Sequence, residues 1–474
     1  MSELHTQTAT GHANTQFARA FDPEWLKANL PRHLYREQES STAIAQVEMI
    51  NAWESAKRTT VHYQFDLVRA NGELCKQMYV GFLVATEQLD EEYKSILKKA
   101  KLQPLVGPAA ALIAEANLIL LAYPNDRKMQ LLGAVPLQTW LTGNLRHVAN
   151  GALAGASWQA QATNVEMLRY VPEKRFTARC TAQLKAPDGA VQEIAFIVKQ
   201  VSDPVKAKKL YRDLQSLRRA WPDAETAPVR FPRALALDEN NGAVFIEELS
   251  GQNLKQVLFD IERARIIPLV GGMLADFHRA KKRVRKKITI KNELAENREA
   301  AGIMIKALPQ FQPRLKSLLN AFKAFAWNDG VTPVLLHGTY RLNHIFLRGE
   351  ELALLDLDSL RMGHPAYDIA NLLSSLYYLE EAHGRITAAM RQEISRYFLA
   401  GYAEKMAQAV MPPAVLWFLA SLMINKQAKK YVTHSHENGA EKVERMLGLA
   451  ETVLARGREA PPELTLATLW QILP

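Results

Sequence analysis

The stretch Leu335–Leu360, LLHGTYRLNHIFLRGEELALLDLDSL, gathers the side chains of this chain best suited to chemistry. Short β-type runs end at His337-Gly338 and at Asp356-Leu357-Asp358, so two strands can bring an imidazole and two carboxylates to one point. Paired carboxylates are hard oxygen donors and suit Mg²⁺ beside a phosphate. Gly349 supplies the turn between HIFL and LALLDL. Further on, GHPAYDIANLL turns into a helix with Asp368 in its first turn, where the helix dipole favours a negative charge.

The elements around this stretch change period along the chain. From Leu254 onward, apolar residues recur at helical spacing, as in NLKQVLFDIERARIIPLVGGMLADFHRA and most of Ile369–Arg456, and only the hairpin interrupts them. Upstream the pattern is β. VEMINAWESAKRTTVHYQFDLVRANGELCKQMYVGFLV from Val47 and VEMLRYVPEKRFTARCTAQLKAPDGAVQEIAFIVKQV from Val165 run in parallel, each with a basic cluster and a Thr (Thr59, Thr177). Each alternates into a turn, Asn71-Gly72 or Asp188-Gly189, which are strong hairpin signals. LAYPNDRKMQLLGA and LALDENNGAVFIEE both read as a turn between two strands. The parallel predicts a duplicated β-rich module.

Length and composition set the frame. At 474 residues the chain exceeds one ordinary core, and 48% hydrophobic with 23% charged residues excludes wholesale disorder. No apolar run is long enough for a bilayer span and the start lacks a signal-peptide pattern, so the expected address is the cytoplasm. Cys75 and Cys180 stand apart and read as small buried hydrophobes, not a disulfide or zinc site. The net charge of +10 favours anionic partners. Its densest part, Lys281–Lys287, lacks interleaved aromatics, which favours a solvated face over nucleic-acid binding. His434 and His436 lack further ligands and read as a polar loop.

Taken in order, HGTYRLNHIFL, LLDLD and GHPAYDIA resemble the signature of the aminoglycoside phosphotransferase and choline kinase-like family. That signature runs H-G-D-x-x-x-x-N, then [IV]-D-[FW]-x-D, then G-x-P-x-x-D. The resemblance extends from about Val165 to the C-terminus. It implies an α+β, bilobal protein-kinase-like fold: an antiparallel β small lobe at 160–252 and a mainly helical large lobe at 253–474, with the site hairpin at 334–358. An extra β-rich module at 41–150, resembling a duplicated small lobe, would precede it, after a tail and linker at 1–40.

By the same resemblance, Lys199 in IAFIVKQV would grip ATP phosphates, and the backbone of Glu247, Glu248 and Leu249 would meet adenine. Asp356, Asp358 and His344 would hold Mg²⁺; Asp356 and Asp358 would also be the catalytic carboxylates, Asp358 able to accept a proton, and His344 would also lie near the nucleotide. His278 and Asp368 would be structural. The helix that usually offers a glutamate to the lysine has only Asp213. Two departures bear on function. Thr339 stands where the family has its catalytic aspartate, and a threonine hydroxyl is no general base near pH 7. His344 stands at the asparagine position, with Asn343 one residue out of phase. In the first module, Phe82 is aligned with Lys199, so that copy should hold no nucleotide; it would pack against the small lobe, shape the substrate cleft or present a partner surface. The expected function is ATP-dependent phosphorylation of a small-molecule hydroxyl, with a nucleotide- or partner-binding pseudokinase as the alternative.

Overall fold

The computed structural model describes residues 15–35, 42–54, 58–69, 71–132, 134–148, 158–220, 229–325, 330–406, 410–433 and 438–474. His434 and His436 lie outside them. The chain divides into two compact units. One holds the residues up to Tyr211 together with Ala234–Glu248; the other holds Arg212–Arg233 and Leu249–Pro474.

The first unit opens with three short helices, α1 (Thr15–Arg19), α2 (Pro23–Asn29) and α3 (Pro31–Leu34). Five strands follow: β1 (Ala43–Glu54), β2 (Thr59–Val68), β3 (Leu74–Leu83), β4 (Ala110–Ile113) and β5 (Leu118–Ala122), with helix α4 (Leu89–Leu97) after β3. Helix α5 (Ala134–Val148) leads to β6 (Gln159–Val171), β7 (Arg175–Lys185) and β8 (Val191–Val201). Helix α6 (Pro204–Ala220) then precedes β9 (Ala234–Asp238) and β10 (Ala243–Glu247).

The two antiparallel sheets have the same strand order, β1-β2-β3-β5-β4 and β6-β7-β8-β10-β9. The Asn-Gly and Asp-Gly turns fall where expected, with Gly72 at φ 80° and Gly189 at φ 89°, values that glycine adopts without a Cβ penalty. Each sheet also carries a register shift after a methionine of its first strand, Met49/Asn51 in one and Met167/Arg169 in the other.

Counting ladder rungs from that shared irregularity corrects the alignment at Lys199. Lys199 pairs with Thr177, and Thr177 with Arg169; the same path in the first sheet runs from Asn51 to His62 to Val80. Val80, two residues before Phe82, is therefore the counterpart of Lys199. Strand periodicity puts Val80 and Phe82 on one face, so the position stays apolar. A second correction concerns LAYPNDRKMQLLGA. The hairpin of the first module is β4–β5, and among the described residues no strand follows β5 in that sheet. Instead Asp126 Oδ1 accepts from the backbone N–H groups of Lys128 (2.7 Å) and Met129 (3.0 Å), closing a loop. Met129, Leu131 and Leu132 bury their side chains directly, so this apolar run needs no ladder.

Alternation decides which faces meet. Tyr63, Phe65, Leu67 and Tyr79 form one core with Leu26, Leu30 and Leu34 of the leading helices. The opposite face of the same sheet, with Val80, Phe82 and Leu121, shares a core with Phe176, Val198 and Phe245 of the second sheet and Leu137 and Leu141 of α5. Trp140 of α5 stacks on Phe245 at 3.7 Å between ring centroids. Arg58 and Arg127 lie over the Phe82 ring, at 4.4 and 5.1 Å from its centroid, and both bind Glu92 and Glu173.

The second unit is helical around small β pieces. Strand β11 (Gln252–Asn253) pairs with the hairpin β13 (Ile345–Arg348) and β14 (Glu351–Leu354), while β12 (Val334–Leu336) pairs with β15 (Arg361–Gly363). The helices are α7 (Arg263–His278), α8 (Ile290–Ala307), α9 (Gln312–Ala324), α10 (Ala366–His383), α11 (Ala388–Met406), α12 (Pro412–Leu422), α13 (Lys429–Thr433) and α14 (Gly439–Arg458). Met423–Ala428, between α12 and α13, is a π-helix. Most of Lys281–Lys287 is exposed, as a solvated segment should be. Among the described residues no helix is long and apolar enough to cross a membrane.

Candidate functional site

The site in the second unit is built on one buried carboxylate. Asp368, fully buried in the first turn of α10, accepts from the backbone N–H of His337 at 2.6 Å and of Gly338 at 2.8 Å. Its Oδ2 also lies 3.3 Å from His278 Nε2, whose Nδ1 is 2.8 Å from the Tyr402 hydroxyl. Burial alone would raise the Asp368 pKa; the contact and charge of His278 and the Gly338 N–H outweigh it, and the net shift is downward. Asp368 and His278 thus brace the loop, as expected of structural residues.

Gly338 is required at its place. Its φ is 83°, and a Cβ there would lie 2.5 Å from the Ser359 carbonyl oxygen. Tyr340 anchors the loop by donating from its hydroxyl to the Val270 carbonyl of α7 (2.8 Å).

Leu355 is clamped from two sides. His337 Nε2 donates to its carbonyl at 2.8 Å, and its N–H donates to the His344 carbonyl at 2.8 Å. Burial is the main influence on His337 and lowers its pKa, against the opposing pull of Asp368. A neutral ring donating from Nε2 leaves Nδ1 as an acceptor, and the Thr339 N–H and hydroxyl lie 3.3 and 3.4 Å from it. Next to clamped Leu355, Asp356 takes a left-handed conformation, φ 60° and ψ 52°, uncommon for a residue with a Cβ. Its carboxylate Oδ2 lies 3.4 Å from His344 Nε2.

The structure therefore brings His344, Asp356 and the His337–Thr339 loop together. Asp358 is exposed in the 3₁₀ turn Leu357–Ser359, and Asn343 is exposed where His344 is buried. Lys199 belongs to the first unit, where it alternates away from buried Val198 and Gln200 and pairs with Thr177 and Val244. Glu247 closes β10, and Glu248 accepts from Arg179 Nε at 2.5 Å. Leu249 is buried at the start of the second unit. Among the described residues no cluster of three or more His, Cys, Asp or Glu side chains has the form of a metal site.

Comparison with known proteins places this geometry. Residues 182–406 match the phosphotransferase enzyme family, APH. The matched span covers β8, β10, the His337 loop, Asp356 and Asp368. Among solved structures, the choline kinase of Cryptosporidium parvum is 12% identical, with a TM-score of 0.47 over 68% of this chain and 96% of the other. The ethanolamine kinase of Plasmodium vivax is 12% identical, with a TM-score of 0.42 over 68% and 90%. A spectinomycin phosphotransferase, solved with ADP and spectinomycin, is 12% identical, with a TM-score of 0.40 over 73% and 98%. Comparison with curated protein sequences gives no match.

Sequence reasoning missed a second layer around the loop. Lys426, in the π-helix, donates to Asn371 Oδ1 at 2.7 Å and approaches the Gly338 carbonyl at 3.5 Å. Burial foremost, with Arg361 and Arg341 adding to it, brings its pKa down to about 7. Buried Glu293 and Asn297 of α8 meet Ser421 and Asn425 in the same layer, and burial pushes the Glu293 pKa up. The available signal was a lysine pair, Lys426 and Lys430, at helical spacing just after an apolar run.

Proposed function

We propose that this protein is an ATP-dependent phosphotransferase acting on a hydroxyl of a small molecule. The observation that carries this reading is the Asp356 backbone. A left-handed aspartate held by a two-sided clamp on its neighbour stores strain of the kind that collects at functional sites. It stands at the metal position of a family signature whose three motifs occur here in order, with departures at Thr339 and His344.

Carboxylate oxygen is the donor type that Mg²⁺ takes, and Asp356 supplies it, while Asp356, Asp358 and His344 do not converge as a three-ligand cluster. Asp356 and Asp358 offer hard carboxylate oxygens, and His344, an imidazole better suited to softer metals, faces Asp356. Bound there, the ion would neutralise phosphate charge. Lys199 would hold the nucleotide phosphates, and the backbone of Glu247 to Leu249 the adenine. In the transfer itself the acceptor oxygen bonds the γ-phosphorus as the bond to the departing ADP oxygen breaks, and the hydroxyl proton passes to water. Phosphoryl transfer depends mainly on positioning and charge neutralisation, whereas a general base typically adds on the order of 10² to 10⁴-fold. With Thr339 in place of the base, turnover is expected to be slow.

Thr339 favours a second reading, a pseudokinase that binds nucleotide or, through residues 41–150, a protein partner. Thermal midpoints with ATP, with and without Mg²⁺, test the nucleotide reading in the parent and in Asp356→Ala. The expected result is stabilisation by ATP that depends on metal only in the parent. No shift under any condition would remove both nucleotide readings, and a shift without phosphate release from ATP would favour the pseudokinase.

A further inference from the structure

The turn between β6 and β7 is held by the first module. It closes on a bond from the Lys174 N–H to the Val171 carbonyl at 3.0 Å, with Pro172 second and Glu173 third. Glu173 has φ 57°, a conformation that this place in a turn normally gives to glycine. Its side chain is thus kept at a backbone cost.

Three parts of the first module secure that side chain. Glu173 Oε2 accepts from Nη2 of Arg58, just before β2, and Oε1 from Nε of Arg127, after β5, each at 2.5 Å. The same two guanidinium groups share Oε1 of Glu92 on α4, at 2.5 and 2.7 Å. Asp126 Oδ2 accepts from the Glu173 N–H at 2.8 Å and from the Tyr170 hydroxyl at 2.7 Å. Burial opposes the Glu173 charge, but the contacts with Arg127 and Arg58 outweigh it and its pKa is lowered.

The loop that supplies Asp126 and Arg127 takes a second hold. Its Leu131 N–H donates to Gln200 Oε1 at 3.1 Å, and fully buried Gln200 donates to the Asn241 carbonyl at 2.8 Å. Gln200 is next to Lys199. Arg175 pairs with Val201 and Thr177 with Lys199, so the turn lies two rungs from the lysine, at the same end of the sheet. One loop therefore fixes both the turn and the strand that carries Lys199. In protein kinases a glycine-rich loop covers the nucleotide phosphates and the lysine stands on the third strand. Here β8 is the third strand of its sheet in chain order, and the connection between the first two, Val171-Pro172-Glu173-Lys174-Arg175, has no glycine. A pliant loop loses entropy when it closes on a ligand; a turn already pinned does not.

We propose that Arg58, Arg127, Glu92 and Asp126 are positioning residues: through Glu173 they preorganise the β6–β7 turn for nucleotide phosphates, which makes the first module part of the nucleotide site. The proposal rests on the phosphotransferase reading for the word nucleotide, and on the clamp geometry for the fixed turn.

Hydrogen exchange of the turn and calorimetric titration with a non-hydrolysable ATP analogue and Mg²⁺ test this in the full chain, in the parent, Glu173→Gly, Arg127→Gln and Arg127→Lys. Glu173→Gly gives the turn the residue its backbone favours while removing the clamp, and so keeps the test open where an arginine variant fails to fold. In Glu173→Gly and Arg127→Gln, protection of the amides at 173 and 174 without nucleotide is expected to fall about tenfold or more, and nucleotide affinity about tenfold. Arg127→Lys keeps the charge but not the forked contact and should fall between. Unchanged protection in both variants, or a loosened turn with unchanged nucleotide affinity, would overturn the proposal and leave the phosphotransferase reading standing. A parent that binds no nucleotide would sink that reading and the binding role with it, the exchange data then deciding the clamp alone.

Discussion

His344 Nε2 lies 3.4 Å from Asp356 Oδ2, so the residue that departs from the family signature faces the one that keeps it. The pairing depends on the His344 carbonyl and His337 Nε2 both holding Leu355, which leaves the neighbouring aspartate little freedom.

Thr339→Asp restores a carboxylate beside His337. If the loop works as aligned, ATP turnover should rise by about 10²-fold or more, measured as steady-state ADP release. An unchanged rate would show that the position no longer faces an acceptor.

Asp368→Asn keeps the shape but turns one acceptor into a donor facing the N–H groups of His337 and Gly338. A cost of about 3 kcal/mol is expected, read as a lowered midpoint in urea. Because the native Asp368 pKa is depressed, its contribution is present above the ordinary carboxylate range and is lost as pH falls. The difference between parent and variant should therefore shrink in acid, and a constant difference would contradict the brace.

Helices α7 and α11 approach backbone to backbone. A Cβ on Gly401 would lie 2.0 Å from the Pro268 carbonyl oxygen, and one on Gly271 would lie 2.1 Å from that of Phe398. Gly401→Ala is expected to cost about 2 kcal/mol or more by forcing the helices apart. Thermal unfolding followed by circular dichroism checks this, and a midpoint equal to the parent's would show that the helices separate without strain.

His62 is buried on β2 beside Tyr170, and burial brings its pKa down to about 4 from 6.5. Its neutral form is the folded one, so the unfolded chain takes up the proton first as pH falls below 6.5. Stability contributed above 6.5 is lost between about 6.5 and 4, to a total of about 3 kcal/mol. Hydrogen exchange of β2 and β3 across that window should accelerate in the parent and much less in His62→Gln.

The fold was legible where local chemistry is decisive. Asn71-Gly72, Asp188-Gly189 and Gly349 marked turns whose φ values are positive, and helical spacing marked the second unit. The rung facing Lys199 was not legible. A period of two reveals which face a residue joins but not which partner it meets, so Phe82 and Val80 looked interchangeable until their partners were known. The cations on the wall of a cavity in the second unit were hidden for another reason: Lys255 and Arg385 sit on separate segments, and only the tertiary fold brings them together.

The core common to both sheets has a practical consequence. A shortened chain beginning at Trp158 would keep the whole matched family segment yet leave Phe176, Val198 and Phe245 facing water, stripped of Val80, Phe82 and the α5 leucines. Such a fragment should clump rather than fold, and its silence in an assay would report stickiness, not chemistry.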